Sequence, residues 1–202
     1  MITSMCNSYE YTIVITNRHL VQGDFLEQLE KVTKLHPHAL ILREKDLTDD
    51  AYESLAKKVF DLCKREDITF FLHTKIEIAR KIGCQNIHLS IPVLKGLSET
   101  EKKALTEDFC EISISCHSME DVEIAMAGGA TQIILGTIFE TECKKGVLGK
   151  GVEFVREICQ KCPLPVYAIG GMNLQRLPLV IDAGAAGCCM MSGFMQTTKT
   201  LQ

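Results

Sequence analysis

Eight short apolar segments recur along the chain, each bounded by polar residues or glycine and separated from the next by a longer segment. They are too short for helices, and several are apolar on both faces, as in Ile133-Ile134-Leu135. This pattern is typical of strands in a parallel sheet that is covered by helices on both sides. The predicted strands are 11–16, 39–42, 68–72, 86–89, 111–115, 132–135, 165–169 and 187–191.

The segments between these strands carry the spacing of amphipathic helices. Residues 52–63 place apolar side chains at i, i+3, i+4 and i+7, which puts them on one helical face. Ser98 with Glu101, and Ser118 with Asp121, have the spacing of capping boxes, in which a hydroxyl and a carboxylate satisfy free backbone N–H groups. The chain therefore alternates strand and helix throughout.

Eight such units in 202 residues leave about 25 residues for each, enough for a short strand, a helix of about three turns and tight loops. This spacing favours a compact (β/α)8 TIM barrel, near the minimum size of that fold. We predict a single domain over 1–202, with an N-terminal extension at 1–9 and a tail at 195–202. Because so little chain follows the eighth strand, the last helix should be short or missing.

Composition and charge narrow the classes of function. The formal net charge is −4, so the long-range field repels phosphate backbones and anionic membranes. No apolar segment reaches the roughly 18 residues of a membrane helix, and the first ten residues lack the basic and apolar regions of an export signal. We therefore expect a cytoplasmic protein without nucleic-acid or membrane partners.

The ten cysteines lie mostly inside apolar segments, singly except for the adjacent Cys188 and Cys189, with no export signal to suggest an oxidising compartment. Cys159 and Cys162 form a C-x-x-C pair, but it falls where a helix ends before Pro163, whereas a redox pair opens a helix. A zinc site would need a second pair of ligands. Free thiols with a packing role are expected.

Active sites of β/α barrels lie at the carboxyl ends of the strands, so the residues that follow the strands are the candidates for function. Gly170 and Gly171 follow the seventh strand, and Ser192 and Gly193 follow the eighth. Glycines let backbone N–H groups approach an anion closely, and a helix predicted to start at Asn173 would add its positive end. These residues predict a phosphate site; the alternative is a pair of ordinary turns.

The longest connection after a strand, residues 137–151, is rich in charge and glycine. Long loops in compact domains are commonly functional lids, so Lys144 or Lys145 could reach a phosphate. The alternative is a solvated charged loop.

Cationic side chains and imidazoles follow other strands. Arg43 and Lys45 are two residues apart, so both can point to one side of an extended chain and contact an anion. Their alternative role is ion pairing with Glu44 or Asp46. His73 and His117 follow the third and fifth strands and are candidates for acid/base chemistry near pH 7. The other histidines are assigned to the surface or, for His88, to the packed core.

Several of these segments together resemble the thiamine-phosphate synthase and TenI family, whose members are β/α barrels acting on thiamine precursors. The resemblance extends from about residue 11 to residue 194. The segment at 136–146 is particularly similar to the TenI branch, the thiazole tautomerases. The matching segments are LREK (42–45), SCHS (115–118), GTIFETECKKG (136–146), AIGGM (168–172), AGAAG (183–187) and MSG (191–193).

The resemblance implies specific roles for residues of the predicted site. The ligand would be a thiazole phosphate or thiamine phosphate. In a synthase, the pyrophosphate of a pyrimidine substrate would face two cations near a serine, and an Asn-Asp pair after strand three and an aspartate after strand four would hold magnesium. The implied phosphate contacts are Gly171, Ser192, Thr141 and Lys144, and the implied pyrimidine-side contacts are Arg43, Lys45 and Ser115.

The chain departs from the synthase pattern at the metal. His73-Thr74 stands where the family has Asn-Asp, residues 90–93 contain no carboxylate, and Ile41 replaces a glutamine. A pyrophosphate leaving group needs its charge neutralised, and magnesium bound through phosphates still requires one or two protein carboxylates. The sequence therefore argues against strong synthase activity and predicts no cofactor, with magnesium needed only if that activity is retained.

A tautomerase needs an acid/base group but neither a metal nor a leaving group. The histidine that tautomerases place directly after strand six is Thr137 here, whose hydroxyl does not titrate near neutrality. His73 or His117 would then have to act as the base. Three hypotheses follow, in this order: a TenI-like tautomerase with a relocated base, a diverged synthase, and a non-catalytic binder of thiamine intermediates. The sequence is compatible with a homo-oligomer and does not define the oligomeric state.

Overall fold

The strands close into a barrel in the computed structural model, which describes residues 7–141, 146 and 148–196. All neighbouring strands are parallel and pair in chain order, and β1 pairs with β8 to complete the barrel. Each observed strand agrees with its predicted segment to within one residue at either end. The strands are β1 Thr12–Ile15, β2 Ala39–Leu42, β3 Thr69–His73, β4 Asn86–Ser90, β5 Glu111–Cys116, β6 Gln132–Gly136, β7 Val166–Ile169 and β8 Gly187–Met190.

Helices lie between consecutive strands and cover the outside of the barrel, which confirms the predicted (β/α)8 fold. Two short 3₁₀ helices, Ser8–Tyr11 and Arg18–Leu20, flank β1. The helix after β8 has only four residues, as the short remaining chain predicted. The helices are α1 Phe25–Thr33, α2 Asp49–Arg65, α3 Ile76–Ile82, α4 Ile91–Gly96, α5 Glu99–Asp108, α6 Met119–Ala127, α7 Gly151–Lys161, α8 Leu177–Asp182 and α9 Ser192–Met195.

Strand alternation separates two apolar regions. On β4, Ile87 and Leu89 face outward and pack with the helices in the larger core. Ile41, Phe71 and Ile134 belong to the smaller cluster that fills the barrel interior. Burying side chains of this kind contributes roughly 1.5–3 kcal/mol each, so the closed barrel is a stable platform for the loops at its ends.

Capping residues fix where two of the helices begin. At α5, Ser98 and Glu101 form the predicted capping box. At α6, the Ser118 hydroxyl accepts a hydrogen bond from the N–H of Asp121, while the Asp121 carboxylate accepts one from the N–H of His117. The carboxylate therefore holds the backbone of a predicted site residue directly before the helix.

The predicted helix start at Asn173 was wrong. The Asn173 side chain accepts a hydrogen bond from the N–H of Arg176, which makes a turn, and α8 begins only at Leu177 with Pro178 in its first turn. Proline is favoured at that position because its ring presets φ and its missing N–H is not needed there. The anion site therefore lies beside a turn rather than beside a helix start.

The described part of the chain agrees with two further expectations, on membrane helices and on free thiols. No helix there is both long enough and apolar enough to cross a membrane. The eight cysteines described are all free: Cys63, Cys84, Cys110, Cys116, Cys159, Cys162, Cys188 and Cys189. Cys162 follows the last residue of α7, in agreement with a C-x-x-C pair that ends a helix.

Candidate active site at the carboxyl ends of the strands

A cavity of about 300 Å³ opens at the carboxyl ends of the strands. Most of the predicted site residues line it together. Gly193 is not among its lining residues, and Lys144 lies outside the described part of the chain. The predicted residues that line the cavity are Arg43, Lys45, His73, Ser115, His117, Thr137, Thr141, Gly170, Gly171 and Ser192.

The glycine corner after β7 offers backbone donors to the cavity. Gly170 and Gly171 have φ values of +100° and +60°, which side chains rarely allow. A Cβ atom at Gly171 would lie 2.5 Å from the backbone oxygen of Glu140, so only glycine fits against this loop. The Gly171 N–H makes no hydrogen bond with the described residues. Ser192, the first residue of α9, lines the same cavity. This corner suits an anion.

A second anion-binding region lies after β2. Arg43 and Lys45 both line the cavity, as their spacing predicted. Glu44, between them, points away and is buried, where it accepts hydrogen bonds from the Thr16 hydroxyl at 2.7 Å and from Arg18 at 3.1 Å. The Glu44 carboxylate is therefore paired with Arg18, which does not line the cavity.

This arrangement also braces the loop that carries the two cations. The Thr16 hydroxyl donates to Glu44 and accepts the N–H of Arg43 at 2.9 Å, so β1 holds the end of β2. Arg18 also forms a salt bridge with Asp46, which keeps the pKa of that carboxyl well below its usual range. The positions of Arg43 and Lys45 are thereby defined by neighbours outside the cavity.

His117 lines the cavity, and the partner of one ring nitrogen fixes its tautomer. Its ring Nδ1 is in hydrogen-bond contact with the carbonyl oxygen of Gly136, and a carbonyl can only accept. Nδ1 therefore carries the proton in the neutral ring, and Nε2 is left as a proton acceptor. The carbonyl belongs to the residue directly before Thr137, so His117 lies beside the position where tautomerases place their histidine.

His73 is a weak base. Its Nδ1 lies 3.2 Å from the Thr74 hydroxyl, which donates to the His73 carbonyl at 2.7 Å, so Nε2 of this ring is also the acceptor. However, burial and the positive charges of Arg43 and Lys45 lower the pKa of His73 to about 4. The ring is neutral at pH 7 and takes up a proton only with difficulty.

Sequence reasoning missed His88, which it assigned to the packed core. The ring is buried but lines the cavity, with Nε2 2.9 Å from the Ser115 hydroxyl and Nδ1 2.9 Å from the Ser113 hydroxyl. The signal was available: Asn86, His88 and Ser90 alternate with the two outward-facing apolar residues of β4. A polar side chain at every second position indicates that this face of the strand lines a polar part of the barrel interior.

The two buried imidazoles predict that acid destabilises the fold. Burial lowers the pKa of His73 to about 4 and of His88 to about 3, so below the ordinary value of 6.5 the unfolded chain binds more protons than the native chain. Stability should therefore fall as the pH decreases from about 6.5 to 5, by about 1.4 kcal/mol per pH unit for each histidine. Urea denaturation at several pH values measures the slope. His73→Gln should remove about half of it, and an unchanged slope would contradict the assignment.

The implied magnesium ion does not fit the side chains that line the cavity. None of the described lining residues is a carboxylate, and the buried Glu44 is already engaged by Thr16 and Arg18. Magnesium in proteins takes oxygen ligands, including one or two carboxylates, whereas this cavity presents two cations and three imidazoles. No group of three His, Cys, Asp or Glu side chains within the described residues could hold a metal ion.

The chain is similar to known proteins over most of its length. Residues 12–194 match the profile of a protein family described as thiamine monophosphate synthase. A putative thiamine-phosphate synthase 2 of Aquifex aeolicus is 30% identical over 90% of this chain and 96% of its own length. The thiamine-phosphate synthase of Coprothermobacter proteolyticus is 31% identical over 76% of this chain and 72% of its own. The solved thiamine phosphate pyrophosphorylase of Pyrococcus furiosus has the same fold, with a TM-score of 0.81, 23% identity and coverage of 96% and 91% of the two chains.

Proposed function

The chain belongs to the thiamine monophosphate synthase family, and within that family we propose that it is a TenI-like tautomerase that moves a proton on a thiazole phosphate carboxylate. The observation that carries the proposal is the imidazole of His117, whose Nε2 is an acceptor at a cavity without a lining carboxylate among the described residues. Such a cavity suits proton transfer on an anionic ligand better than the release of a magnesium-bound pyrophosphate.

The ligand's two anionic groups match the two ends of the cavity. The phosphate is placed at the glycine corner, against the N–H of Gly171 and beside Ser192. We place the carboxylate at Arg43 and Lys45, the two cationic side chains among the described residues that line the cavity. A charge-assisted hydrogen bond contributes roughly 1.5–3 kcal/mol, so a few such contacts reach the roughly 8 kcal/mol of micromolar binding.

His117 would move the proton. Its Nε2 accepts the proton from a ring carbon of the ligand. The imidazolium that forms then returns a proton to a second carbon of the same ligand, which completes the tautomerisation. The Gly136 carbonyl keeps the other ring nitrogen protonated throughout, so a single ring nitrogen serves both steps. Neither step requires a metal or a leaving group.

A second candidate is thiamine-phosphate synthase activity. Curated relatives of this chain carry that name, including one that is 30% identical over 90% of the chain. Against it stands the donor set of the cavity, which offers no described carboxylate to magnesium. The two activities use different substrates and leave different products, so they can be measured separately.

The decisive experiment compares both activities on one preparation. We expect deuterium transfer from D2O into the thiazole phosphate carboxylate, followed by NMR without added metal, and no pyrophosphate release from the pyrimidine diphosphate with thiazole phosphate and magnesium. Pyrophosphate release without deuterium transfer would establish the synthase instead. Saturable binding of the carboxylate by calorimetry with neither activity would establish a non-catalytic binder.

A further inference from the structure

A buried imidazole connects two hydroxyls inside the barrel, and only one of them reaches the ligand cavity. Ser113 and Ser115 both face inward from β5, and the His88 ring lies against them from β4. Ser113 is fully buried and His88 is 3% exposed, whereas Ser115 lines the cavity. The function proposed above does not use this chain of contacts.

The ring is neutral, so exactly one of its nitrogens carries a hydrogen. Burial is the main cause that lowers the pKa of His88 to about 3, and the neighbouring His73 and Arg43 add to it. The ring of His73 lies 5.5 Å away, centroid to centroid. A neutral imidazole has one donor and one acceptor, and the partner of each nitrogen decides which is which.

The buried serine decides the tautomer. Among the described residues, the Ser113 hydroxyl has one hydrogen-bond partner of any kind, side chain or backbone, which is Nδ1 of His88. If Nδ1 carried the hydrogen, the hydroxyl hydrogen of Ser113 would be buried without an acceptor, a state that folded proteins avoid. Ser113 therefore donates to Nδ1, and the ring hydrogen lies on Nε2.

The tautomer of His88 affects the cavity because Nε2 contacts Ser115, which lines it. This nitrogen donates to the Ser115 oxygen at 2.9 Å, so the Ser115 hydroxyl hydrogen is not used by His88. We infer that His88 is a positioning residue that holds the Ser115 hydroxyl as a hydrogen-bond donor to the ligand. The ligand must then place an acceptor there, either a carboxylate oxygen or an unprotonated ring nitrogen.

The inference rests on the proposed function only for the identity of that acceptor. The tautomer itself can be measured on the protein alone. Long-range ¹H–¹⁵N NMR at pH 7 distinguishes protonated from unprotonated ring nitrogens, and the signals lost in His88→Gln assign the ring. We expect the hydrogen on Nε2 in the wild type and a mixture of tautomers in Ser113→Ala. A hydrogen on Nδ1 in the wild type would overturn the inference whatever the protein binds.

Calorimetric titration with thiazole phosphate and with its carboxylate tests the consequence for the ligand. Ser115→Ala should weaken binding about tenfold, the loss of one good hydrogen bond. Ser113→Ala, which leaves Ser115 in place, should weaken it severalfold, and Ser113→Thr, which keeps the hydroxyl, should restore it. Wild-type affinity in Ser115→Ala would overturn the inference.

The two ligands also separate the two acceptors. A loss confined to the carboxylated ligand identifies the carboxylate oxygen, and an equal loss for both identifies the ring nitrogen. If the wild type binds neither ligand, the proposed function fails, whereas the NMR measurement still decides the tautomer.

Discussion

His117→Ala is expected to lower the rate of proton transfer on the thiazole phosphate carboxylate by about 10²- to 10⁴-fold, the usual contribution of a general acid/base group. The ring lines the cavity and is held by the Gly136 carbonyl through Nδ1, which leaves Nε2 as the proton acceptor. Removing it takes away the acceptor but none of the cationic groups that bind the anions. Binding of the ligand should therefore change much less than turnover, as deuterium transfer and calorimetry will show.

His73→Ala is the matched control for this prediction. Its Nε2 is also an acceptor, but burial and two cations lower the pKa of the ring to about 4, so it is a poor base at neutral pH. We expect a smaller loss of turnover than for His117→Ala. The reverse order of the two effects would transfer the role of the base to His73.

A gain-of-function variant tests the same assignment. Thr137 is 6% exposed, lines the cavity and directly follows the residue whose carbonyl holds His117. Introducing Thr137→His into the His117→Ala background should restore part of the lost activity, since it returns an imidazole to the place where tautomerases carry it. If the double variant folds but recovers no activity, positions 117 and 137 are not equivalent places for the base.

The barrel could be predicted because each of its strands and helices is indicated by a local pattern of apolar and polar residues. Each strand is a short apolar segment, and the two-residue spacing of Arg43 and Lys45 directly after β2 correctly placed both at the cavity. The start of α8 could not be read from the glycines alone, since a side chain that caps a turn at Asn173 competes with a helix start. Pro178 was the better signal, because proline favours the first turn of a helix.

The chemistry of the site depended on contacts that span the barrel. Sequence reasoning could not choose between His73 and His117, since the choice rests on the cations beside one and the carbonyl beside the other. It also assigned His88 to the core, although the alternation of β4 indicated an inward-facing imidazole. Hydrogen-bond direction, in particular, is set by partners that are distant in sequence.

Gly171→Ala should abolish tight anion binding while the barrel stays folded. At φ +60° an added Cβ would lie 2.5 Å from the Glu140 oxygen and 2.8 Å from Cβ of Phe139, so the corner must move. A left-handed conformation costs a residue with a side chain roughly 1–2 kcal/mol, which favours a shift that turns the N–H away from the cavity. The charge-assisted hydrogen bond then lost is worth about 1.5–3 kcal/mol, or roughly tenfold to more than a hundredfold in affinity.

Calorimetric titration with inorganic phosphate and with thiazole phosphate measures this loss directly. Gly96→Ala is the control, since Gly96 ends α4 away from the cavity lining, and a Cβ there meets nothing within 4 Å. Its affinity for both ligands should equal that of the wild type. A folded Gly171→Ala protein that binds both ligands as tightly as Gly96→Ala would show that the phosphate lies elsewhere. Both the orientation of the ligand and the place of its carboxylate near Arg43 would then have to be reassigned. The carboxylate is assigned to that end of the cavity because the phosphate is assigned to the other end.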